Sequence, residues 1–228
     1  MTRIPRTEDT FIRTFTGRRF WPLDPRADEI FVEDVAHHLS LECRFTGATY
    51  CQYSVADHSL RVSKLAERIV MGESRNVTLA REVALWGLLH DASEAYLRDL
   101  PKPLKYAPGL GTIYREVERM VMDEVVVRFD LIPHEPAVVK EADTILLNTE
   151  KRDLMTGCQE RPGVARLPET IFPLDHQRAE VEFLRRFEAL TTARKAERAA
   201  NRYDLITANI DTEVRIAAAL AQASREVA

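Results

Sequence analysis

Along most of the chain apolar residues recur every three or four positions, the spacing that lines one face of a helix. Val62, Leu65, Ala66 and Ile69 mark a helix that begins near Val55. Val83, Ala84, Gly87 and Leu88 mark a second over about 78–94. The spacing predicts a third over roughly 112–130, stopping before Pro133, and a fourth from Pro136, a favoured first-turn position, to about 156. Between the second and third, Pro101 and Pro103 interrupt the pattern, since each lacks an N–H and disfavours helix just before it. Residues 157–173 read as a loop, and another helix follows over roughly 176–200. The tail carries a last helical pattern, Val214, Ala217, Ala218 and Ala221, with Asp211 as its N-cap. Residues 1–54 are irregular except for a helix near 31–43, and they hold aromatics at 11, 15, 20 and 21. Nothing reads as a strand ladder. The expectation is an all-α orthogonal bundle, with an N-terminal arm over 1–54, a core over 55–185 and a helical extension over 186–228.

Composition narrows the classes. A chain of 228 residues suits one core domain plus an appendage, and only 8 glycines favour helices with short connections. Lys plus Arg number 32 against 36 for Asp plus Glu, a net charge of −4, which argues against binding a nucleic-acid polymer. Cys43, Cys51 and Cys158 form no CxxC pair, so neither a disulfide framework nor a zinc–thiolate site is indicated. The first fifteen residues lack the apolar run of a secretory signal, and no stretch approaches the ~20 apolar residues that cross a bilayer. The expectation is a cytoplasmic protein without a membrane partner.

Polar residues interrupt the apolar stripes. His58 lies four positions before Val62 and extends its face. Val83, Gly87, His90, Asp91 and Glu94 share a face of the second helix, and Asp143 lies among Val139, Ala142, Leu146 and Leu147 in the fourth. A carboxylate buried alone costs several kcal/mol or more, so it must be paired, neutralised or metal-bound. One shared cation would satisfy all these groups. Singly, each has a plainer reading: His58 as a hydrogen-bonded core residue, Asp143 as the partner of a buried Arg or a helix cap. His90 and Asp91 differ, because adjacent helical residues diverge by about 100° and meet one ion only at a helix end. Two imidazoles and two carboxylates suit a divalent Mn, Co, Fe, Ni or Zn ion rather than Mg or Ca. Glu94, one turn beyond His90 on the same face, is placed for a proton-transfer role, or is an ordinary helix-end Glu.

His58, His90-Asp91 and Asp143 match the H…HD…D pattern of the HD-domain metal-dependent phosphohydrolases. The segment HDASEAYLRDLPKPLKY, 90–106, resembles the bacterial 5′-deoxynucleotidases and the related phage dATP triphosphohydrolases. GRRFWPLDPRADEI, 17–30, and EDVAHHLSLECRFTG, 33–47, resemble the phage-type subgroup most. The resemblance spans roughly residues 15–155 and implies the HD bundle. It also implies a metal held by His58, His90, Asp91 and Asp143, a catalytic Glu94, and Asp99 in the sugar and catalytic pocket. Asp99 is equally readable as a turn cap. The similar deoxynucleotidases carry Arg directly before Trp-Pro-Leu; here Phe20 separates Arg19 from Trp21, so Arg18 or Arg19 takes the implied phosphate role. Trp21 would pack on the sugar and oppose a 2′-hydroxyl, or the cluster simply pins the arm. Lys102 and Lys105 are placed for further phosphates, and His37 and His38 for lining the pocket.

The function this implies is hydrolysis of deoxynucleotides at the 5′ phosphate, from a monophosphate or, with release of triphosphate, from a dNTP. A non-catalytic nucleotide sensor or scaffold on the same fold is the alternative, and an HD phosphodiesterase ranks below it. Relatives of this kind dimerise or go further, so a homo-oligomer is expected.

Overall fold

The computed structural model describes residues 5–158 and 160–200, so the tail pattern over 211–221 lies outside the described residues. The described residues form an all-α architecture apart from one small hairpin. The helices are α1 (Val32–Leu41), α2 (Val55–Glu73), α3 (Val77–Leu89), α4 (Glu94–Leu97), α5 (Lys102–Lys105), α6 (Leu110–Phe129), α7 (Ala137–Leu154) and α8 (His176–Ala200). Ser54 starts α2 by accepting the Asp57 N–H on its hydroxyl, and Asn76 starts α3 in the same way through Leu79. α2 and α3 form the central pair. Gly87 makes their close approach possible: a Cβ there would sit 3.1 Å from the Ser63 Cα. Ser63 answers by donating its hydroxyl to the Ala84 carbonyl at 2.7 Å.

α7 packs on α2 and α3, and α8 lies against α1, α2 and α3, burying Ala179, Phe183 and Leu190. α8 runs across residues 185 and 186, and Arg194 donates to the Phe129 and Asp130 carbonyls at the end of α6. Among the described residues no helix is long and apolar enough to cross a membrane.

Three expectations change. The second helix was expected to reach residue 94, but α3 ends at Leu89 and α4 starts at Glu94. Tight turns replace the ladder, with Ala92 N–H on the Leu89 carbonyl and Glu94 N–H on the Asp91 carbonyl. Pro103 sits inside α5, in its first turn, where a missing N–H costs nothing. The arm holds a small antiparallel hairpin, β1 (Ile12–Arg13) and β2 (Arg19–Phe20), pairing Ile12 with Phe20 and Arg13 with Arg19. Two-residue strands are too short to leave an alternation in sequence. The arm is nevertheless part of the core: Phe20 and Ile30 are fully buried, and Phe20 stacks on Tyr96 with centroids 4.0 Å apart.

Candidate metal centre

His58 in the first turn of α2, His90 just past α3 and Asp143 on α7 each offer one ligand atom, and these atoms lie within 4.8 Å of one another. Each imidazole is oriented through Nδ1. In His58 it lies 2.6 Å from Glu150 Oε1; in His90, 2.9 Å from the Gly87 carbonyl oxygen. A carbonyl only accepts, so His90 carries its proton on Nδ1 and turns the Nε2 lone pair inward. The Nε2 atoms of both rings are buried and have no hydrogen-bond partner. What they face is carboxylate. His58 Nε2 is 3.2 Å from Asp143 Oδ1 and 3.8 Å from Asp91 Oδ2, and His90 Nε2 is 3.1 Å from that same Asp91 oxygen.

Nitrogen lone pairs and carboxylate oxygens at these distances repel unless a cation stands between them. Either a proton or a metal ion meets that need. Two Nε2 donors oriented through Nδ1 by a carboxylate and a carbonyl are the usual dress of metal-bound histidine. The residues present therefore fit a divalent transition ion.

Charge around the cluster is finely opposed. Arg44 is largely buried, with Nη1 3.6 Å from Asp91 Oδ2 and Nη2 3.2 Å from Glu150 Oε2. Burial disfavours ionised Asp143 and Glu150, yet His58 and Arg44 hold both at about 2. Asp91 is likewise held well below the carboxylate range, since His90, His58 and Arg44 outweigh burial. For His58, burial and Arg44 oppose the charged ring, but Glu150 and Asp143 lift it to about 9. Glu94 goes the other way. It is 5% exposed, its Oε2 has no partner, and burial together with Asp91 and Asp99 pushes its carboxyl well above the usual range. A buried acid that keeps its proton beside ionised carboxylates is equipped to donate one.

The other expected site residues divide. Asp99 is part-buried, and burial and Asp91 raise its carboxyl against the pull of Arg44 and Lys105. Lys105 pairs with Glu118 at 2.6 Å, and its charge reaches Glu94 and Asp91. Lys102 is exposed, 5.7 Å from the centre of the Tyr106 ring. Arg19 pairs with Glu8 and lies over Phe11, while Trp21 packs between Phe11 and the Arg6 guanidinium. Arg18 lies 3.6 Å over Phe31. All of these contacts of Arg18, Arg19 and Trp21 lie within the arm. His37 and His38 do line a cavity, one that also reaches Glu94.

Arg44, Tyr53 and Glu150 were not expected. Tyr53 donates to Glu150 at 2.8 Å, so one fully buried carboxylate gathers Tyr53, His58 and Arg44. Glu150 falls seven residues after Asp143 on the apolar face of α7, a signal as clear as that of Asp143 itself. Arg44 leaves none in periodicity. It sits in an irregular turn, followed by Phe45 at φ 56° and Thr46 at φ 54°. Two consecutive left-handed residues without glycine are strained, and such strain gathers where a side chain must be aimed.

Residues 44–146 match the family model described as 5′-deoxynucleotidase YfbR-like. The uncharacterized protein YfdR of Escherichia coli K12 is 34% identical over 191 residues, covering 82% of this chain and 98% of YfdR. The chain belongs to the YfbR-like 5′-deoxynucleotidase family. An uncharacterized protein of Rhodobacter capsulatus is 37% identical over 148 residues, 62% of this chain and 71% of that one. A 5′-deoxynucleotidase of Yersinia pestis is 33% identical over 86 residues, 36% of this chain and 42% of the enzyme. The matched region of the family opens at Arg44 and encloses His58, His90, Asp91, Glu94, Asp99 and Asp143. The hairpin, Arg19 and Trp21 precede it.

Proposed function

We propose that the chain is a metal-dependent phosphohydrolase that cleaves deoxynucleotides at the 5′ phosphate. The observation that carries this reading is the pair of buried, partnerless Nε2 atoms of His58 and His90 facing Asp91 and Asp143. A divalent ion (Mn, Co, Fe, Ni or Zn) held by these four residues would supply Lewis-acid activation of the phosphate and of a water. The chain's own groups do the remaining work. Arg44, whose buried Nε has no partner, binds phosphate oxygen. Glu94 holds a proton for the departing 5′ oxygen. Asp99 accepts a hydrogen bond from the sugar. Arg18 or Arg19, with Trp21, would add the phosphate and sugar contacts from the arm. The same reading has the enzyme act on the cytoplasmic nucleotide pool, as a homo-oligomer.

Lys105 favours a second form of the reading. Its charge is felt at Glu94 and Asp91, so a chain of phosphates running from Arg44 toward Lys105 and Lys102 would meet cations. Water adding at the α-phosphorus of a dNTP would then break the bond to the 5′ oxygen, releasing the deoxynucleoside, with its 5′ oxygen protonated, and intact triphosphate. The test is product analysis with Mn, Co, Zn and Mg against each dNMP and dNTP. Orthophosphate and deoxynucleoside from dNMPs support the monophosphatase; triphosphate and deoxynucleoside from a dNTP support the second form. Nucleotide binding without phosphate release under every metal would leave the sensor reading instead.

A further inference from the structure

A cavity of about 490 Å³ lies between the hairpin, α1 and α4, with Phe15, His37, His38, Tyr96 and Glu94 in its wall. That volume is within the range of small-molecule sites. Its α4 side belongs to the region matched by the family model, while Phe15, His37 and His38 precede that region. The arm therefore completes a chamber that Glu94 also borders.

Phe15 is its unusual member. The ring is 57% exposed, although the backbone around it is held firmly. Phe15 N–H donates to His38 Nε2 at 3.1 Å. Thr16 donates its N–H and its hydroxyl to the buried Asp34 carboxylate at 2.7 and 2.9 Å, and Thr14 N–H donates to the Arg18 carbonyl at 2.9 Å. Because its Nε2 accepts, His38 donates from Nδ1, at 2.7 Å, to the carbonyl of Ala95, the residue after Glu94. The hairpin tip is thus tied by one imidazole to the backbone beside the acid. The Phe15 ring itself lies flat on His37, centroids 3.6 Å apart and planes at 14°.

The Phe15 ring thus stands largely in water, backed on one face by His37, on a backbone that is hydrogen-bonded on both sides. Burying a Phe is worth roughly 1.5–3 kcal/mol, and the chain does bury Phe20 five residues later. A flat aromatic face, held over a chamber that reaches Glu94, suits another flat ring. We propose that this cavity takes the nucleobase of the substrate, with Phe15 backed by His37 as its stacking platform. The assignment rests on the deoxynucleotide reading above.

The test compares wild type, Phe15→Ala and Phe15→Tyr in two measurements. Calorimetry follows binding of deoxyadenosine and of thymidine. Kinetics follows hydrolysis of a deoxynucleoside monophosphate and of 2-deoxyribose 5-phosphate, which has no base. Phe15→Ala should weaken nucleoside binding and raise KM for the nucleotide by roughly tenfold, with kcat within about twofold. It should leave KM for 2-deoxyribose 5-phosphate unchanged, and Phe15→Tyr should behave as wild type. Equal KM changes for both substrates, or none for either, would overturn the platform while phosphate release kept the hydrolase. Nucleoside binding that depends on Phe15 in a protein releasing no phosphate would keep the platform and remove the hydrolase.

Discussion

Asp57 and His58 are neighbours in sequence, both buried and both ionisable, yet they belong to different kinds of cluster. Asp57 is saturated. Its carboxylate accepts Arg61 Nε at 2.9 Å, Arg61 Nη2 at 3.3 Å and the Leu174 N–H at 2.9 Å, while Arg61 also donates to the Phe172 carbonyl. This cluster ties the segment before α8 onto α2. About 100° further round the helix, His58 leaves Nε2 without a partner and faces two carboxylates. Burial and charge alone do not separate a fastening from a working site. What sets the His58 cluster apart is two partnerless imidazole nitrogens converging on two carboxylates, an unmet need that one cation would satisfy.

The strongest way to break this contrast is to remove a ligand from the unsaturated cluster. Asp143→Ala should abolish bound metal and phosphate release together while circular dichroism and the melting temperature stay near wild type. Metal content by elemental analysis, measured beside activity, checks it. Activity that persists with the metal gone would sink the metal reading altogether. Next in size is Glu94→Gln, which keeps the shape and neutrality of the buried acid but removes its transferable proton. Turnover should fall by about 10²–10⁴-fold with metal content unchanged. A variant that turns over normally would return Glu94 to a packing role.

Glu150→Gln tests the group that orients His58. The amide keeps an acceptor for His58 Nδ1 and Tyr53 but removes the charge that balances Arg44. Metal affinity should drop by about 10–100-fold, the usual cost of altering such an orienting partner. Excess metal should restore turnover, and a loss that no metal concentration rescues would show that Glu150 serves Arg44 and the phosphate instead.

How far the site could be read beforehand follows from the same physics. His58, His90 and Asp143 stand out because each puts a polar group on an apolar stripe, and periodicity alone locates them. Glu150 carries the same signal one turn past Leu146, and its meaning emerges only when α7 is laid against α2. The end of α3 at Leu89 leaves no such trace. The apolar pattern continues toward Glu94, while the turn that gathers His90, Asp91 and Glu94 is made of local backbone bonds. Arg44 is the least legible, since two strained residues aim it from an irregular segment, and strain is a property of the folded backbone rather than of residue type. The resemblance gives a phosphate-binding role to Arg18 or Arg19 in the arm, where Arg19 pairs with Glu8 and lies over Phe11.

The smallest effect on catalysis, and the sharpest check on the contrast, is expected from Asp57→Ala. It removes a buried carboxylate next to His58, so a site that merely needed acids nearby would suffer. On the present geometry the damage goes elsewhere: Arg61 and the Leu174 N–H lose their acceptor, and the segment before α8 loosens from α2. Arg61 is 26% exposed in its side chain and can turn to water, so the cost should be about 2–3 kcal/mol rather than that of a sealed ion pair. Denaturant unfolding should register that loss, while metal titration of the folded protein should give an affinity within about twofold of wild type, inside the range of surface-like changes. A large fall in metal affinity would mean that the two faces of α2 are coupled, and that the saturated cluster holds His58 in place rather than only the chain that follows.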